Sequence, residues 1–355
     1  MQRSTAIVLT HGLLDGPTAK TCHGLLRGTE RFEVLAVIDY RFAGQDAGTV
    51  MDGRPRGIPV YASVADYLAS GQERPQWCVV GVALHGGILP DDFRGELRHA
   101  VENGLSIVCG LHTFLSEDAE FSALATKYGV QLVDVRKPRP RSELKFWTGE
   151  IFTVKAPRIA VLGTDCALGK RTTCRFLMEM CRENGIAAEM IYTGQTGWMQ
   201  GYRHGFVFDT TINDFISGEI ERAIVECDRE SKPDLILIEG QSALRNPNGP
   251  CGSEFLLSGD VKGVILQHAP GRRCYDDTDI PIPSVASEVA LIAVYGAKVL
   301  AVTLNEENLS DEAAERHRRE LQEELGIPVV RPLKEGVGGL LGVVRGYLGS
   351  KRSAN

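Results

Sequence analysis

Short apolar runs alternate with amphipathic stretches along the whole chain. In the first 135 residues, six apolar runs of strand length are separated by stretches that have helical periodicity. Buried parallel strands have continuous apolar sequences, whereas strands with one solvated face alternate between apolar and polar residues. The pattern therefore predicts a parallel sheet with crossover helices. The predicted strands are 5–9, 34–38, Val60, 77–83, 105–109 and 130–135, and the predicted helices are 18–27, 64–70, 93–103 and 118–128.

The same pattern starts again after a proline-rich segment. Residues 136–141 combine two prolines with four bases, a composition that disfavours both helix and central strand and is typical of a solvated linker. We therefore predict two α/β domains in tandem, 1–141 and 142–355, each with a parallel sheet. The predicted strands of the second domain are 158–162, 189–192, 235–238, 264–267, 299–303 and Val329. Its predicted helices are one that follows Thr173 and runs to about Asn184, and one over 311–325.

The first domain has the strand–helix–strand spacing of a Rossmann half-unit. Its second strand ends in Asp39, the position of a ribose-binding acid in that fold. The turn after the first strand, residues 11–16, has the sequence HGLLDG and lacks the G-x-G-x-x-G fingerprint. The sequence therefore predicts a Rossmann-like fold without favouring NAD as its ligand.

Composition and charge narrow the choice of partners. The 355 residues include 39 Lys and Arg against 46 Asp and Glu, a net charge of −7, which disfavours nucleic acid and anionic membranes as partners. Nine scattered cysteines without a C-x-x-C pair are typical of reduced thiols. No apolar run reaches the roughly 20 residues of a membrane span, and no secretory signal is visible. We expect a cytoplasmic homo-oligomer that binds small molecules.

A glycine-rich loop follows the first strand of the second domain. Residues 163–173, GTDCALGKRTT, lie between that strand and a predicted helix, where backbone N–H groups, a helix N-terminus and a lysine together bind phosphates. The match to G-x-x-x-x-G-K-[ST] is imperfect, because Thr164 replaces its first glycine and Arg171 follows Lys170. Thr172 is then the candidate hydroxyl ligand of magnesium. The predicted cofactor-binding residues are Gly163, Thr164, Asp165, Gly169, Lys170, Arg171, Thr172 and Thr173.

This loop resembles the longer phosphate loop of dethiobiotin synthetase and its relatives. In that branch of P-loop proteins, a second motif places a carboxylate at the end of an apolar strand, and the segment 234–241, DLILIEGQ, is similar to it. Because ligands gather at the carboxyl ends of parallel strands, Glu239 would face the phosphates. Glu239 is therefore a candidate both for a metal ligand, together with Thr172, and for a general base.

Several segments together extend the resemblance to nearly the full length of the chain. They resemble a family long described as a domain of unknown function and now associated with D-glutamate N-acetyltransferase, in which a Rossmann-like domain precedes a P-loop domain. The segments that carry this resemblance are 19–21 (AKT), 81–87 (GVALHGG), 110–116 (GLHTFLS), 134–138 (DVRKP), 193–197 (TGQTG), 238–241 (IEGQ) and 267–272 (QHAPGR).

The resemblance implies transfer of an acetyl group from acetyl-CoA to the amine of an acidic amino acid, with D-glutamate as the expected substrate. The loop would then hold the phosphates of coenzyme A. Glu239 and His268, each at a predicted strand end, are the candidate bases. Two alternatives stay open: an ATP- and magnesium-dependent ligase or kinase acting on a small carboxylate, and a nucleotide-binding regulator without turnover.

An acidic substrate needs cationic and polar partners. Arginine pairs with carboxylates through two parallel hydrogen bonds, and glycine-rich segments allow a close backbone approach. On these grounds we select seven residues that follow predicted strands or open helices. The predicted substrate-binding residues are Lys20, His85, Gln195, Thr196, Arg203, Gln241 and Arg272.

Overall fold

Residues 3–352 form two compact units. The structure, a computed structural model, describes these residues, apart from the side chains of His85, Lys351 and Arg352. Unit 1 contains residues 3–138 and also 195–202, and unit 2 contains the rest of the described chain. The predicted class, two parallel-sheet α/β domains, is confirmed.

Unit 1 is built on a six-stranded parallel sheet in the order β3-β2-β1-β4-β5-β6, the strand order of a Rossmann fold. The strands are β1 Ser4–Leu9, β2 Phe32–Ile38, β3 Val60–Tyr61, β4 Trp77–Val80, β5 Ser106–Cys109 and β6 Leu132–Asp134, and the helices of its first 138 residues are α1 Lys20–Leu26, α2 Ala47–Asp52, α3 Val64–Ala69, α4 Asp91–Glu102 and α5 Ala119–Tyr128.

The central strand β1 shows why the first apolar run is continuous. Successive side chains of a strand point to opposite faces. Ile7 and Leu9 pack in one core cluster, and Ala6 and Val8 pack in another. Both faces of the sheet are therefore buried, as the absence of apolar–polar alternation predicted.

Unit 2 is built on a seven-stranded parallel sheet in the order β13-β12-β11-β7-β10-β8-β9. Its strands are β7 Arg158–Gly163, β8 Ala188–Tyr192, β9 His204–Gly205, β10 Leu235–Glu239, β11 Gly263–His268, β12 Lys298–Leu304 and β13 Val329–Val330. The helices after the first 138 residues are α6 Lys170–Glu183, α7 Gln195–Met199, α8 Asn213–Ser231, α9 Ser253–Leu257, α10 Val285–Val294, α11 Asp311–Leu325, α12 Pro332–Glu335 and α13 Leu341–Arg352.

Sequence reasoning missed several helices of unit 2 for physical reasons. The largest is α8, whose 19 residues carry the buried acids Glu219 and Glu221, which weaken its apolar periodicity. Helix α10 has the sequence VASEVALIAV, which is nearly as apolar as a buried strand. Within residues 3–352, no helix combines the length and the apolar composition that crossing a membrane needs.

The buried acids of α8 fix the chain that follows residue 138. Glu219 pairs with Arg139 at 2.6 Å and accepts the backbone N–H of Lys145 at 3.0 Å. Glu221 accepts the backbone N–H groups of Thr148 and Ile151 at 2.7 and 3.0 Å. Residues 137–141 are exposed, as expected for a solvated linker, and these carboxylates hold the chain from Arg139 onward against α8.

Residues 195–202, which include α7, pack inside unit 1 although they follow strand β8 in the chain. The Thr196 hydroxyl lies 3.0 Å from that of Thr21, and the Gln200 amide donates to two backbone carbonyls in and after α1. Met199 is fully buried in the core of this unit. Unit 1 therefore includes a segment from the second half of the sequence.

Candidate functional site

The glycine-rich loop of unit 2 lies between β7 and α6, as predicted. Strand β7 pairs with β10 on one side and β11 on the other. All three strands run in parallel, so Glu239 and His268 end the two strands that flank the loop. Gly169 precedes α6 with a φ of +97°, a left-handed conformation that favours glycine. The loop and both candidate bases thus lie at one edge of the sheet.

Lys170 places a buried cation against the inside of the loop. Its Nζ donates to the backbone carbonyls of Asp165 at 2.6 Å and Ser242 at 2.9 Å. Burial lowers its pKa to about 8. A Cβ on Gly163 would lie 3.1 Å from this Nζ, so glycine at that position leaves room for the lysine. The amine is held by neutral carbonyl groups, which leaves its charge available to an anion at the loop.

Asp165 fixes the conformation of the loop. Its carboxylate is fully buried, and each oxygen accepts two hydrogen bonds. One oxygen accepts the N–H of Cys166 at 2.7 Å and the Asn246 amide at 2.8 Å. The other accepts Arg272 and the N–H of Asp276, both at 2.8 Å. Although Asp165 was selected as a cofactor-binding residue, its oxygens tie the loop to two neighbouring segments.

Arg272 supports the loop from the same side. Besides Asp165, its guanidinium donates to the carbonyl of Cys166 at 3.0 Å and to Glu307 at 2.8 Å. These bonds engage both terminal nitrogens within the protein. Binding of a substrate carboxylate by Arg272 stays a prediction, and in this structure its contacts are those of a loop-supporting residue.

We expect Asp165→Asn to lower the free energy of unfolding by about 2 kcal/mol, because one buried acceptor becomes an NH₂ group that faces a donor. Urea unfolding of the full chain measures this change. Glu230→Gln is the matched control, since its exposed ion pair with Arg203 contributes less than about 1 kcal/mol. Equal stability of the two variants would contradict the role of Asp165 in fixing the loop.

Glu239 is a buried carboxylate held by the chain that follows β8. Its Oε2 accepts the N–H of Thr193 at 3.0 Å, and the Thr193 hydroxyl donates to its backbone carbonyl at 2.7 Å. The Gln241 amide donates to that hydroxyl at 2.9 Å. Burial raises the pKa of Glu239, although the charges of Arg171 and Lys170 act in the opposite direction. A carboxylate with a raised pKa is better suited to accept a proton near neutral pH.

His268, the second candidate base, differs from Glu239 in the effect of burial on its pKa. Its Nδ1 lies 2.9 Å from the Thr164 hydroxyl. Burial, with a smaller contribution from His317, lowers the pKa of His268 to about 4. The ring is therefore neutral at neutral pH and a weak base. Of the two candidate bases, Glu239 has the environment that favours proton acceptance.

The two threonines after Arg171 differ in their surroundings. Thr173 is buried, and its hydroxyl donates to the Gln267 side chain at 2.6 Å, which ties α6 to β11. Thr172 is half-buried on the same helix. Within the described residues, no three or more His, Cys, Asp or Glu side chains form a group that could hold a metal ion. Thr172 and Glu239 supply only two protein oxygens, which suits a magnesium ion that bound phosphates also hold.

The other predicted substrate residues are divided between the units. In unit 1, Lys20 is the exposed first residue of α1, and Gln195 and Thr196 are buried in α7. His85 begins a short 3-10 helix, and its side chain lies outside the described residues. In unit 2, Arg203 is 70% exposed and pairs with Glu230 at 2.7 Å. Gln241 contacts the surroundings of Glu239, because it donates to the Thr193 hydroxyl.

Asp39 directly follows the last residue of β2, close to its predicted position, and its contacts lie within unit 1. Its Oδ2 accepts the Thr10 hydroxyl at 2.7 Å and the N–H groups of Gly12 and Leu14 at 2.9 and 3.0 Å. Backbone N–H groups after the first strand are the ones that hold a pyrophosphate in dinucleotide-binding Rossmann folds. Here two of them are bonded to Asp39, which fixes the turn after β1.

Sequence reasoning missed Ser242 and Asn246, two residues that surround the loop. Ser242 has a φ of +37°, rare for a residue other than glycine, and its carbonyl accepts Lys170. Asn246 is fully buried and donates to Asp165. A signal was present in the turn-rich sequence NPNGP that starts at Asn246, shortly after the strand that carries Glu239.

Comparisons with known proteins agree with this architecture. Residues 145–341 match a domain of unknown function described as the DUF1611 P-loop domain, and residues 40–138 match the DUF1611 Rossmann-like domain. The crystal structure of a DUF1611 family protein from Anabaena variabilis is similar with a TM-score of 0.87 and 29% identity, over 97% of this chain and all of the other.

Two curated relatives carry a functional name. A protein from a Pseudoalteromonas species, named D-glutamate N-acetyltransferase, is 31% identical over 73% of this chain and 78% of its own length. A protein of the same name from Tritonibacter scottomollicae is 30% identical over 74% of this chain and 79% of its own length. The P-loop match alone covers more than half of the chain. With its Rossmann-like first domain and its P-loop second domain, the chain belongs to the DUF1611 family.

Proposed function

We propose that this protein is an N-acetyltransferase that moves the acetyl group of acetyl-CoA to the amine of D-glutamate. The observation that carries the proposal is the match, at about 30% identity over most of the chain, to two relatives that bear this name. A fold hosts many activities, so the chemistry has to be argued from the residues at the loop.

In this proposal the loop binds the phosphates of coenzyme A. Lys170 offers a cation at the loop, Arg171 a second one, and the N-terminus of the 14-residue helix α6 adds positive potential. Acetyl transfer has no phosphoryl transition state to stabilise. The arginine that stands where magnesium-dependent phosphate loops have Ser or Thr is therefore compatible with this use of the loop.

Acetyl transfer also needs a group that accepts a proton from the substrate ammonium. The free amine then attacks the thioester carbonyl, an N–C bond forms, the C–S bond breaks, and coenzyme A leaves as a thiolate that takes up a proton. Glu239 is our candidate for this base, because its carboxylate is buried and its pKa is raised by burial. His268, with a pKa of about 4, would serve as a neutral hydrogen-bonding group.

Phosphate binding by the loop and proton acceptance by Glu239 together constrain the shape of bound acetyl-CoA. The pantetheine arm is about as long as a tetrapeptide, roughly 13 Å when extended. The charge of Lys170 acts on the pKa of Glu239, so the two residues belong to the same neighbourhood. If the loop holds the phosphates and Glu239 accepts the proton, the arm folds back toward the loop.

The competing function is ATP-dependent ligation or phosphorylation of a small carboxylate. Thr172 and Glu239, the two candidate magnesium ligands, would serve this function, because magnesium takes a hydroxyl and a carboxylate beside nucleotide phosphates. It differs from acetyl transfer in its products: it consumes ATP and releases no coenzyme A thiol.

A thiol-release assay tests the proposal. With acetyl-CoA as donor, we expect free thiol to appear when D-glutamate is added and a product of the mass of N-acetylglutamate to form. L-glutamate and D-alanine are the matched controls for chirality and for the side-chain carboxylate. No thiol release with any amino acid, together with magnesium-dependent ATP consumption, would overturn the acetyltransferase proposal.

A further inference from the structure

Unit 2 exposes a group of large apolar side chains that are not part of the glycine-rich loop 163–173. Between 41% and 68% of the surface of each of these residues is exposed. We call this group the aromatic patch, and it consists of Phe146, Trp147, Phe152, Ile212 and Leu257.

The members of the aromatic patch are neighbours. The rings of Trp147 and Phe152 meet edge to face with centroids 5.9 Å apart. The indole N–H of Trp147 donates to the carbonyl of Ser258, the residue after Leu257, at 3.1 Å. Phe146 stacks on Phe215 at 4.4 Å, and the N–H of Phe215 donates to the carbonyl of Ile212. These contacts place the members of the patch around the first half of α8.

The backbone under the patch is held in place. The buried carboxylates of Glu219 and Glu221 accept the backbone N–H groups of Lys145, Thr148 and Ile151. These residues lie on both sides of Phe146 and Trp147. A Cβ on Gly218 would lie 2.0 Å from the carbonyl oxygen of Lys145, so a glycine in α8 lets this segment lie directly on the helix. The aromatic side chains are presented on a fixed frame and do not turn inward.

The size of the patch matches half of a protein–protein interface. With roughly 150–250 Å² for each large side chain, the exposed parts amount to on the order of 500 Å². A stable interface buries about 800 Å² on each partner, and about 65% of a homodimer interface is apolar. One copy of the patch therefore supplies about the apolar area that a homodimer needs.

The charges around the aromatic patch favour a second copy of the same patch as its partner. Glu150 pairs with Arg229, and Glu143 pairs with Arg139 at 3.6 Å, so both signs occur beside the aromatic residues. A rim with both signs can place opposite charges against each other in a two-fold dimer, whereas a strongly charged partner would need a rim of one sign. We propose that the aromatic patch is the interface through which two copies of this chain associate.

The test is the molar mass of the full chain in solution, by light scattering after gel filtration over a range of concentrations. We expect the wild type to be a dimer or a multiple of one. Phe152→Asp places a charge in the patch and should raise the dissociation constant at least about 30-fold, the effect of losing an interface hot spot. Leu257→Lys, on another part of the patch, should act in the same direction.

Val294→Asp is the matched control, because Val294 is 83% exposed and lies on α10, outside the patch. It should keep the wild-type mass. The melting temperature of each variant confirms that it is folded. A monomeric wild type, or an oligomer that folded Phe152→Asp and Leu257→Lys leave intact, would overturn the proposal, as would equal dissociation of the control. The result does not depend on which reaction the protein catalyses.

Discussion

Replacing Lys170 by alanine should weaken the binding of acetyl-CoA roughly 100- to 1000-fold, the effect of removing one partner of a buried, hydrogen-bonded charge pair. The physical reason lies in the position of the amine. It is buried, it is held by two neutral carbonyls, and the four donors on Asp165 fix the loop around it. Calorimetric titration of wild type and Lys170→Ala with acetyl-CoA measures the change.

The control for this variant is Lys298→Ala. Lys298 is the exposed first residue of β12, so it lies at the amino end of a parallel strand, whereas the loop follows the carboxyl end of β7. Its removal should leave acetyl-CoA binding unchanged. Unchanged binding in Lys170→Ala as well would show that coenzyme A does not use the loop. Tight ATP binding that is lost only in Lys170→Ala would assign the loop to ATP.

The fold was largely predictable because its signals are local. Strand β7 and the existence of helix α6 follow from one apolar run and one glycine-rich turn, although α6 begins at Lys170, before the predicted start after Thr173. The same holds for β10, where an apolar run ends in Glu239. The helix at 311–325 also follows from local sequence, since its periodicity is undisturbed by buried charge. In contrast, Glu219 and Glu221 bury charge in α8, so the sequence of that helix resembles a surface segment.

The candidate site was predictable only in part. Lys170 and Glu239 were selected because the ends of parallel strands meet at one edge of a sheet. The contacts of Asp165 with Asn246 and Asp276 are tertiary, over 81 and 111 positions of sequence, and no local pattern encodes them. For the same reason, sequence reasoning assigned Arg272 to a substrate, whereas the structure engages it with Asp165 and Glu307.

The position of residues 195–202 is another tertiary feature that the local sequence does not predict. These residues follow β8 directly, and their sequence gives no sign that Met199 is buried among the side chains of the first unit. Sequence analysis selected Gln195 and Thr196 as ligand-binding residues because of the flanking glycines. In the structure, Thr196 is bonded to Thr21. A role of either side chain in binding a substrate stays a prediction.

Glu239→Gln should lower kcat roughly 100- to 10,000-fold, the range in which removal of a general base acts. Glutamine has the shape of glutamate, and its oxygen can still accept the N–H of Thr193, so the KM for acetyl-CoA should change little. The amide cannot take a proton from the substrate ammonium. Steady-state thiol release over a range of acetyl-CoA concentrations separates these two parameters.

The pH dependence of the rate is a second test of Glu239 as the general base. Because burial raises the pKa of Glu239, the carboxylate is protonated and inactive as a base at low pH, and activity should rise as the pH increases through that pKa. This rise, the acidic limb of the pH–rate profile, should vanish in Glu239→Gln. The limb that comes from deprotonation of the substrate ammonium, at higher pH, should stay in both proteins.

Glu288→Gln is the matched control, since Glu288 is also buried, also has a pKa raised by burial, and pairs with Arg245, which is not part of the loop 163–173. It should keep the acidic limb and a kcat close to that of the wild type. If Glu239→Gln kept both as well, another group would be the base. His268, whose pKa of about 4 would place its limb at lower pH, would then be the next residue to replace.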